Sequence, residues 1–510
     1  MQTNKTKDQN QVPINIIISF VKEKARLRLR YVFLFFFFLS FSLLFFREGP
    51  LSHTTLGYSS LIPPDLLIED AWYGVYFQDS FMGYSHFFMK IRDIKEGGGY
   101  VLRNNAHLSF PLLGKLEPID IDMEARLFPN YSLKEGEFKM HSRDYFFSAS
   151  LENRGKDNYE LTIETPSQKE TRMVKRRKEI INLLFSPISL SYIPLKKKVF
   201  YSFYDPILNK KVDVILENKG RQNISLKGQN TEAYKIDMDV EGVKGKIFAD
   251  NKGRLLMEEF LGFTFIKEDP KELFDKDLLP VEEDLITYYS IPSKKIPDKE
   301  SLTYMKVRIE GVSDEFIQND HNQRITPFEN AFIVEICRKE PGKLKALPLN
   351  QEELEEYLGE GEYIKFKTPL VKNTVNSIVG NESDSFTVLK QIFDWINKNI
   401  KKIPHITLPN TTDVLKLKQG DCGELSALMV GFLRSAGIPS YVNIGIVHSK
   451  GRFFYHAWVS AYIGEWIDTD PALNQLIADP THIKLLTGLK SQFELFKIIS
   501  KIKVKVLDYK

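Results

Sequence analysis

Between Gly420 and Pro439 the chain reads GDCGELSALMVGFLRSAGIP, a helix with both of its ends written into the sequence. Leu425, Leu428, Met429, Phe432 and Leu433 recur at three- and four-residue steps, so one face is apolar and must be buried. Asp421 followed three residues later by Glu424 has the form of a capping box, and Gly437 ahead of Ile438-Pro439 is a strong stop. The pattern predicts a core helix over about 422–436 with Cys422 in its first turn. Unpaired N–H groups and the positive dipole end favour an anion there, which lowers a thiol pKa and raises its nucleophilic fraction. Gly420 and Gly423 are expected to leave the approach to the sulfur open.

Downstream, FFYHAWVSAY alternates as a strand, with Phe453, Tyr455, Ala457, Val459 and Ala461 on one face and His456, Trp458, Ser460 and Tyr462 on the other. A tight turn about Ile463-Gly464-Glu465 leads into WIDTDP. Pairing centred on Ile463 sets His456 opposite Asp470, where cross-strand Cβ atoms are about 5 Å apart. A shift of the turn centre by one residue makes the pair diagonal. Asp470 would then fix the imidazole tautomer, and the other ring nitrogen would take the Cys422 proton. Asp468 is the rival carboxylate, placed opposite Trp458, and His448 the rival base, read as lying in an exposed turn. Each residue also has a plain structural reading, as a core thiol, a core histidine and a turn aspartate.

These residues resemble the transglutaminase-like superfamily in three blocks: GDCGELSALMVGFLRSAGIPSYV, HAWVSAYIGEWIDTDP, and ADPTHIKL at 478–485. The resemblance covers about Phe366 to Gly488. It implies a papain-like core with the triad Cys422, His456 and Asp470, and acyl transfer through a thioester at Cys422 onto water or an amine. It implies no metal or other cofactor for the triad. The third block is similar to the bacterial extracytoplasmic branch, with His482 in a structural role. Side chains upstream of the cysteine supply part of the family's oxyanion site, and Gln419 is the candidate here.

The rest of the chain frames this core. Tyr31 to Phe46, YVFLFFFFLSFSLLFF, is uncharged, and Lys22, Lys24, Arg26, Arg28 and Arg30 precede it. Sixteen residues span roughly 24 Å as a helix, short of a hydrocarbon core of about 30 Å. With the basic flank inside and no small-x-small cleavage site after it, the expectation is a signal anchor over 31–47 behind a cytoplasmic segment 1–30. The bulk of the chain would then lie outside the cytoplasm, in the periplasm of a two-membrane host. A linker at 48–68 leads to an antiparallel β domain over 69–291, where runs such as AWYGVYF and YVLRNNAHLSF alternate with turns such as EGGG. A small β unit follows at 300–366, the transglutaminase-like domain at 367–495 and a tail at 496–510, an α+β chain overall. His86, His107 and His141 stand singly in strands and are read as ordinary surface or core residues.

A formal net charge of +3, from 70 Lys+Arg against 67 Asp+Glu, argues against a nucleic-acid partner. Two cysteines, Cys337 and Cys422, are too few for a disulfide scaffold or a four-cysteine zinc site, though they could pair with each other. The sequence therefore points to a membrane-anchored thiol hydrolase or acyltransferase with peptide or protein substrates and the bilayer as a further partner. The alternative is a catalytically silent ectodomain that binds a protein or a cell-envelope polymer through its β region.

Overall fold

The computed structural model describes residues from 69 onward, apart from 176–194 and several shorter stretches that include 404–409. The expected cytoplasmic segment, anchor and linker lie outside the described residues. Among the described residues no helix is long and apolar enough to cross a membrane.

The chain is α+β and mostly β. Strands β1–β14, from Glu69–Phe77 to Phe263–Glu268, form one antiparallel sheet. The order arises from two meanders. The first runs outward from Glu69–Phe77 to Lys169–Lys175; the second returns from Lys198–Asp205 to Phe263–Glu268, which pairs with Glu69–Phe77. Alternation sets the core: Ala71, Tyr73, Val75 and Phe77 are buried, whereas the neighbours Trp72 and Tyr76 are only partly covered. Two of the three isolated histidines pair across strands with carboxylates, His86 with Asp70 and His107 with Asp120, each at 2.7 Å, while the His141 ring stacks near Phe146.

Short helices α1 (Pro270–Phe274) and α2 (Leu285–Tyr289) lead out of this sheet, and β15 (Ile291–Pro292) joins the next unit. Strands β16 (Tyr304–Glu310), β17 (Gln323–Phe328) and β18 (Ala331–Cys337) form the small β unit. Its fourth strand is Lys503–Tyr509, which pairs with β16, so the segment read as a C-terminal tail closes this sheet. Alternating Val504 and Val506 bury their side chains there, a short period that is easily lost among lysines.

The remaining unit packs helices α3 (Pro369–Val379), α4 (Ser385–Asn399), α5 (Thr411–Leu417) and α6 (Cys422–Ser435) against a second sheet. Between the helices lie the two-residue strands β19 (Lys401–Lys402) and β20 (Gln419–Gly420), paired in parallel. The sheet contains β21 (Ser440–Ser449), β22 (Arg452–Tyr462), β23 (Trp466–Thr469) and β24 (His482–Thr487). Its order is β15-β22-β21-β24, with β23 on β22. The large sheet touches this unit where Thr165 Oγ1 donates to Asp413 Oδ1 of α5 at 3.2 Å.

Candidate active site

Helix α6 starts at Cys422 because the cap is complete. Asp421 accepts from the N–H groups of Gly423 (2.9 Å) and Glu424 (3.1 Å), and Glu424 accepts from the N–H of Asp421 at 2.8 Å. The far end is a Schellman motif. Gly437 takes φ 82°, and Ile438 N–H donates to Leu433 O at 2.8 Å. Leu425, Leu428, Met429 and Phe432 are buried, which presses the helix onto the sheet and holds its first turn against β22. Gly420 has another use than the one expected of it. A Cβ there would lie 2.8 Å from Glu424 Oε2, so the bare Cα makes room for the capping carboxylate rather than for a substrate.

The sulfur of Cys422 meets the backbone N–H of Ala457, the residue after His456, and the N–H of Gly423. Both donors favour a thiolate. Burial of the thiol, followed by the negative charges of Asp421 and Asp470, outweighs them and pushes the thiol well above its ordinary value. The helix-tip position is as expected, but its consequence is reversed. A helix end offers a fraction of a charge, and here it competes with desolvation and two carboxylates. The resting sulfur is a protonated thiol that needs a base.

The residue expected to be the base, His456, lies on β22. His456 Nε2 donates to Asp470 Oδ2 at 2.7 Å, with side-chain exposures of 8% and 0%. The register differs from expectation. Tyr462 pairs with Trp466 and Val459 with Thr469, which centres the turn on Gly464 and makes His456 and Asp470 a diagonal pair. The contact still closes because the chain leaves β22 after Thr469. Asp470 bridges to Gln475 instead, and its Oδ1 accepts from Ala472 N–H (2.8 Å) and Leu473 N–H (3.0 Å).

Asp470 has a third partner. His482 Nε2 shares the same Oδ2 at 3.0 Å, while its Nδ1 reaches Asp479 O at 2.9 Å. Two imidazoles thus flank one carboxylate. Although burial opposes it, the contacts of His456 and His482 hold the Asp470 carboxyl far below the ordinary carboxylate range. Burial also opposes the charge on His482, but hydrogen bonds and charge from Asp470 and Asp479 raise it to about 10. The ligand atoms of His456, Asp470 and His482 lie within 4.8 Å of one another, a spacing that a single cation could bridge. The spacing is equally that of hydrogen bonds, each with a proton donor facing the shared oxygen.

The rivals fall elsewhere. Asp468 bonds Trp458 Nε1 at 3.2 Å, Ser460 Oγ and Asn322 Nδ2 at 3.0 Å, and it lies 3.3 Å from His321 Nε2. His448 is buried within β21, its Nε2 at 2.9 Å from Lys294 O; the turn it was assigned to begins later, at Lys450-Gly451 with positive φ at both. Cys337 and Cys422 are both free, which removes the disulfide. Gln419, in β20, stands beside Lys401 three residues before the cysteine and is partly exposed. The residues that sequence reasoning passed over are Asn322, His321 and Asp320. They reach from the small β unit to the back of β22 and β24, where Asp320 pairs with the buried Lys484. The polar run DHNQ between two strands was the available signal.

A helix-borne cysteine set against a strand-borne histidine and its carboxylate is the arrangement of the papain-like class. Residues 372–471 match the transglutaminase-like superfamily, and this part of the chain is a transglutaminase-like domain. Comparison with curated proteins returned no match. Among solved structures, a candidate cysteine protease from Cytophaga hutchinsonii is 16% identical, with a TM-score of 0.28, covering 41% of this chain and 86% of that one. A β-barrel-like protein of a domain of unknown function from Brucella abortus is 8% identical, with a TM-score of 0.29, covering 40% of this chain and 95% of that one. A candidate protease from Parabacteroides distasonis is 13% identical, with a TM-score of 0.19, covering 72% of this chain and 68% of that one.

Proposed function

We propose that the chain is a membrane-anchored extracytoplasmic cysteine hydrolase or acyltransferase acting on peptide or amide bonds, with Cys422 as nucleophile, His456 as base and acid, and Asp470 as its orienter. The observation that carries this reading is the 2.7 Å bond from His456 Nε2 to a fully buried Asp470, on the strand whose next N–H meets the Cys422 sulfur. That bond leaves Nδ1 as the nitrogen to receive the thiol proton. Because the resting thiol is protonated, transfer to Nδ1 accompanies attack of sulfur on the carbonyl carbon. The C–N bond then breaks, the leaving amine takes the proton from Nδ1, and a thioester remains on Cys422. Water, or a second amine, attacks the thioester and gives its proton to Nδ1; the sulfur leaves and is reprotonated. The proposed oxyanion donors are the backbone N–H of Cys422 and the side chain of Gln419, since the Gly423 and Glu424 N–H groups are bonded to Asp421.

Hydrolysis is preferred to cross-linking, because membership of the superfamily implies only the shared thioester chemistry and water is the simplest acceptor for it. The test is turnover of a peptide and glutamine-amide panel by the purified full-length chain, beside Cys422→Ala. Turnover that vanishes in the variant supports the reading. An inactive wild type whose Cys422 is alkylated no faster than in His456→Ala refutes it, and retained polymer or protein capture would then favour the binding alternative.

A further inference from the structure

His482 lies outside the segment that matches the superfamily, yet it shares the one Asp470 oxygen that His456 contacts. It is fixed on every side. Its strand β24 pairs with β21 at Val447, Trp458 packs edge-on against its ring at 5.1 Å, and only 1% of its side chain is exposed. Both ring nitrogens meet acceptors: Nε2 meets Asp470 Oδ2, and Nδ1 meets Asp479 O, with Asp479 Oδ1 at 3.4 Å. Asp479 is itself held by Gln475 Nε2 at 2.8 Å and Thr481 N–H at 2.8 Å, so the far end of the clamp does not swing. An imidazole with an acceptor at each nitrogen carries both protons and a positive charge.

We propose that His482 is a positioning residue for the thiol chemistry: it fixes the plane of Asp470 and places a cation behind the Cys422–His456 pair. This rests on the triad reading above. Two consequences follow. With Oδ1 tied to the Ala472 and Leu473 amides and Oδ2 tied to His482, the carboxylate has one orientation, and the His456 ring can only follow it. The charge also acts on the pair. The ionisable groups facing His482 are Asp470 and Asp479 from the loop and His456 from β22; Lys299 and His448 act on Asp479, with Lys299 Nζ 4.0 Å from its Oδ2, Lys402 of β19 acts on Asp470, and Asp468 lies beyond Trp458. A neutral His482 would leave the Cys422 thiol facing uncompensated carboxylate charge. The cation offsets part of that charge and eases loss of the thiol proton.

The experiment follows alkylation of Cys422 by iodoacetamide against pH in the full-length chain, comparing wild type, His482→Gln and His456→Ala. Glutamine keeps a donor for Asp470 and discards the charge. Losing a cation raises the proton affinity of every neighbour, so the whole rate curve of His482→Gln should move to higher pH by about one unit. A structural role alone lowers thermal stability and leaves the curve in place, and that result overturns the proposal. A wild type indifferent to His456→Ala refutes the triad itself, which is a separate failure. Should His482→Gln not fold, nitrogen-15 spectra of wild type decide: His482 doubly protonated at pH 8 supports the clamp, and a neutral ring at that pH overturns it.

Discussion

Asp470→Asn tests the orienting bond without opening a cavity. The carboxylate accepts four hydrogen bonds, two at Oδ1 from Ala472 and Leu473 and two at Oδ2 from His456 and His482. Asparagine can keep its oxygen toward the two backbone amides, which turns its NH₂ toward both imidazoles. Each ring must then accept at Nε2. His482 can do so as a neutral ring, since Nδ1–H still reaches Asp479 O. His456 can do so only by carrying its proton on Nδ1, the nitrogen that has to receive the thiol proton. The fold therefore loses a charge-assisted contact, about 1–3 kcal/mol, while the chemistry loses its tautomer. A wrong tautomer in a comparable triad costs roughly 10⁴ in kcat, and three to four decades correspond to about 4–5 kcal/mol of barrier. Expected is a cooperative urea transition at slightly lower midpoint, with kcat/KM down by about 10³–10⁴ and iodoacetamide labelling of Cys422 slowed at neutral pH. A folded Asp470→Asn chain that keeps more than about a tenth of wild-type kcat/KM would refute the argument.

Asp421→Asn should keep the helix cap, since asparagine caps as well as aspartate, while removing a charge that raises the Cys422 thiol; alkylation at pH 7 should rise several-fold, and an unchanged rate would show that this charge does not reach the sulfur. Gly445→Ala would set a Cβ 2.1 Å from Ile483 O and 2.9 Å from the Trp458 ring, so a loss of about 3 kcal/mol is expected in urea unfolding, and a change below about 0.5 kcal/mol would contradict it. Stability should also fall in alkali. His482 binds its proton more tightly folded, with its value raised to about 10, so its contribution is whole below a pH of about 6.5 and declines as pH climbs toward 10. Asp470 and Asp479, both depressed, work in the opposite sense: their contribution is whole above a pH of about 4 and is lost in acid. Urea midpoints measured across pH should therefore fall in acid, and His482→Gln should reduce the decline between about 6.5 and 8, below the range in which the Cys422 thiol, also raised, contributes.

The capping pattern, the apolar stripe of α6 and the alternation of β22 were legible because each is a local rule, satisfied within a few neighbouring residues. Asp421 capped as expected, and Gly437 stopped the helix. What escaped reading was long-range. The turn centre at Gly464 rather than Ile463 is set by how β23 meets β22 and leaves it at Thr469, not by the WIDTDP motif itself. The burial of His448 depends on β15 and Lys294, over 150 residues earlier. The same distinction governs the cysteine. The N-terminal dipole of α6 can be inferred from six residues, but the medium around the sulfur is made by β22, Asp470 and the packed sheet, and medium dominates a partial charge. A thiol expected to be eased toward its anion by the helix tip is therefore, in the folded chain, raised instead. In the proposed reading its activation comes from His456, so control over reactivity shifts from the helix tip to the Asp470–His482–Asp479 chain behind that imidazole.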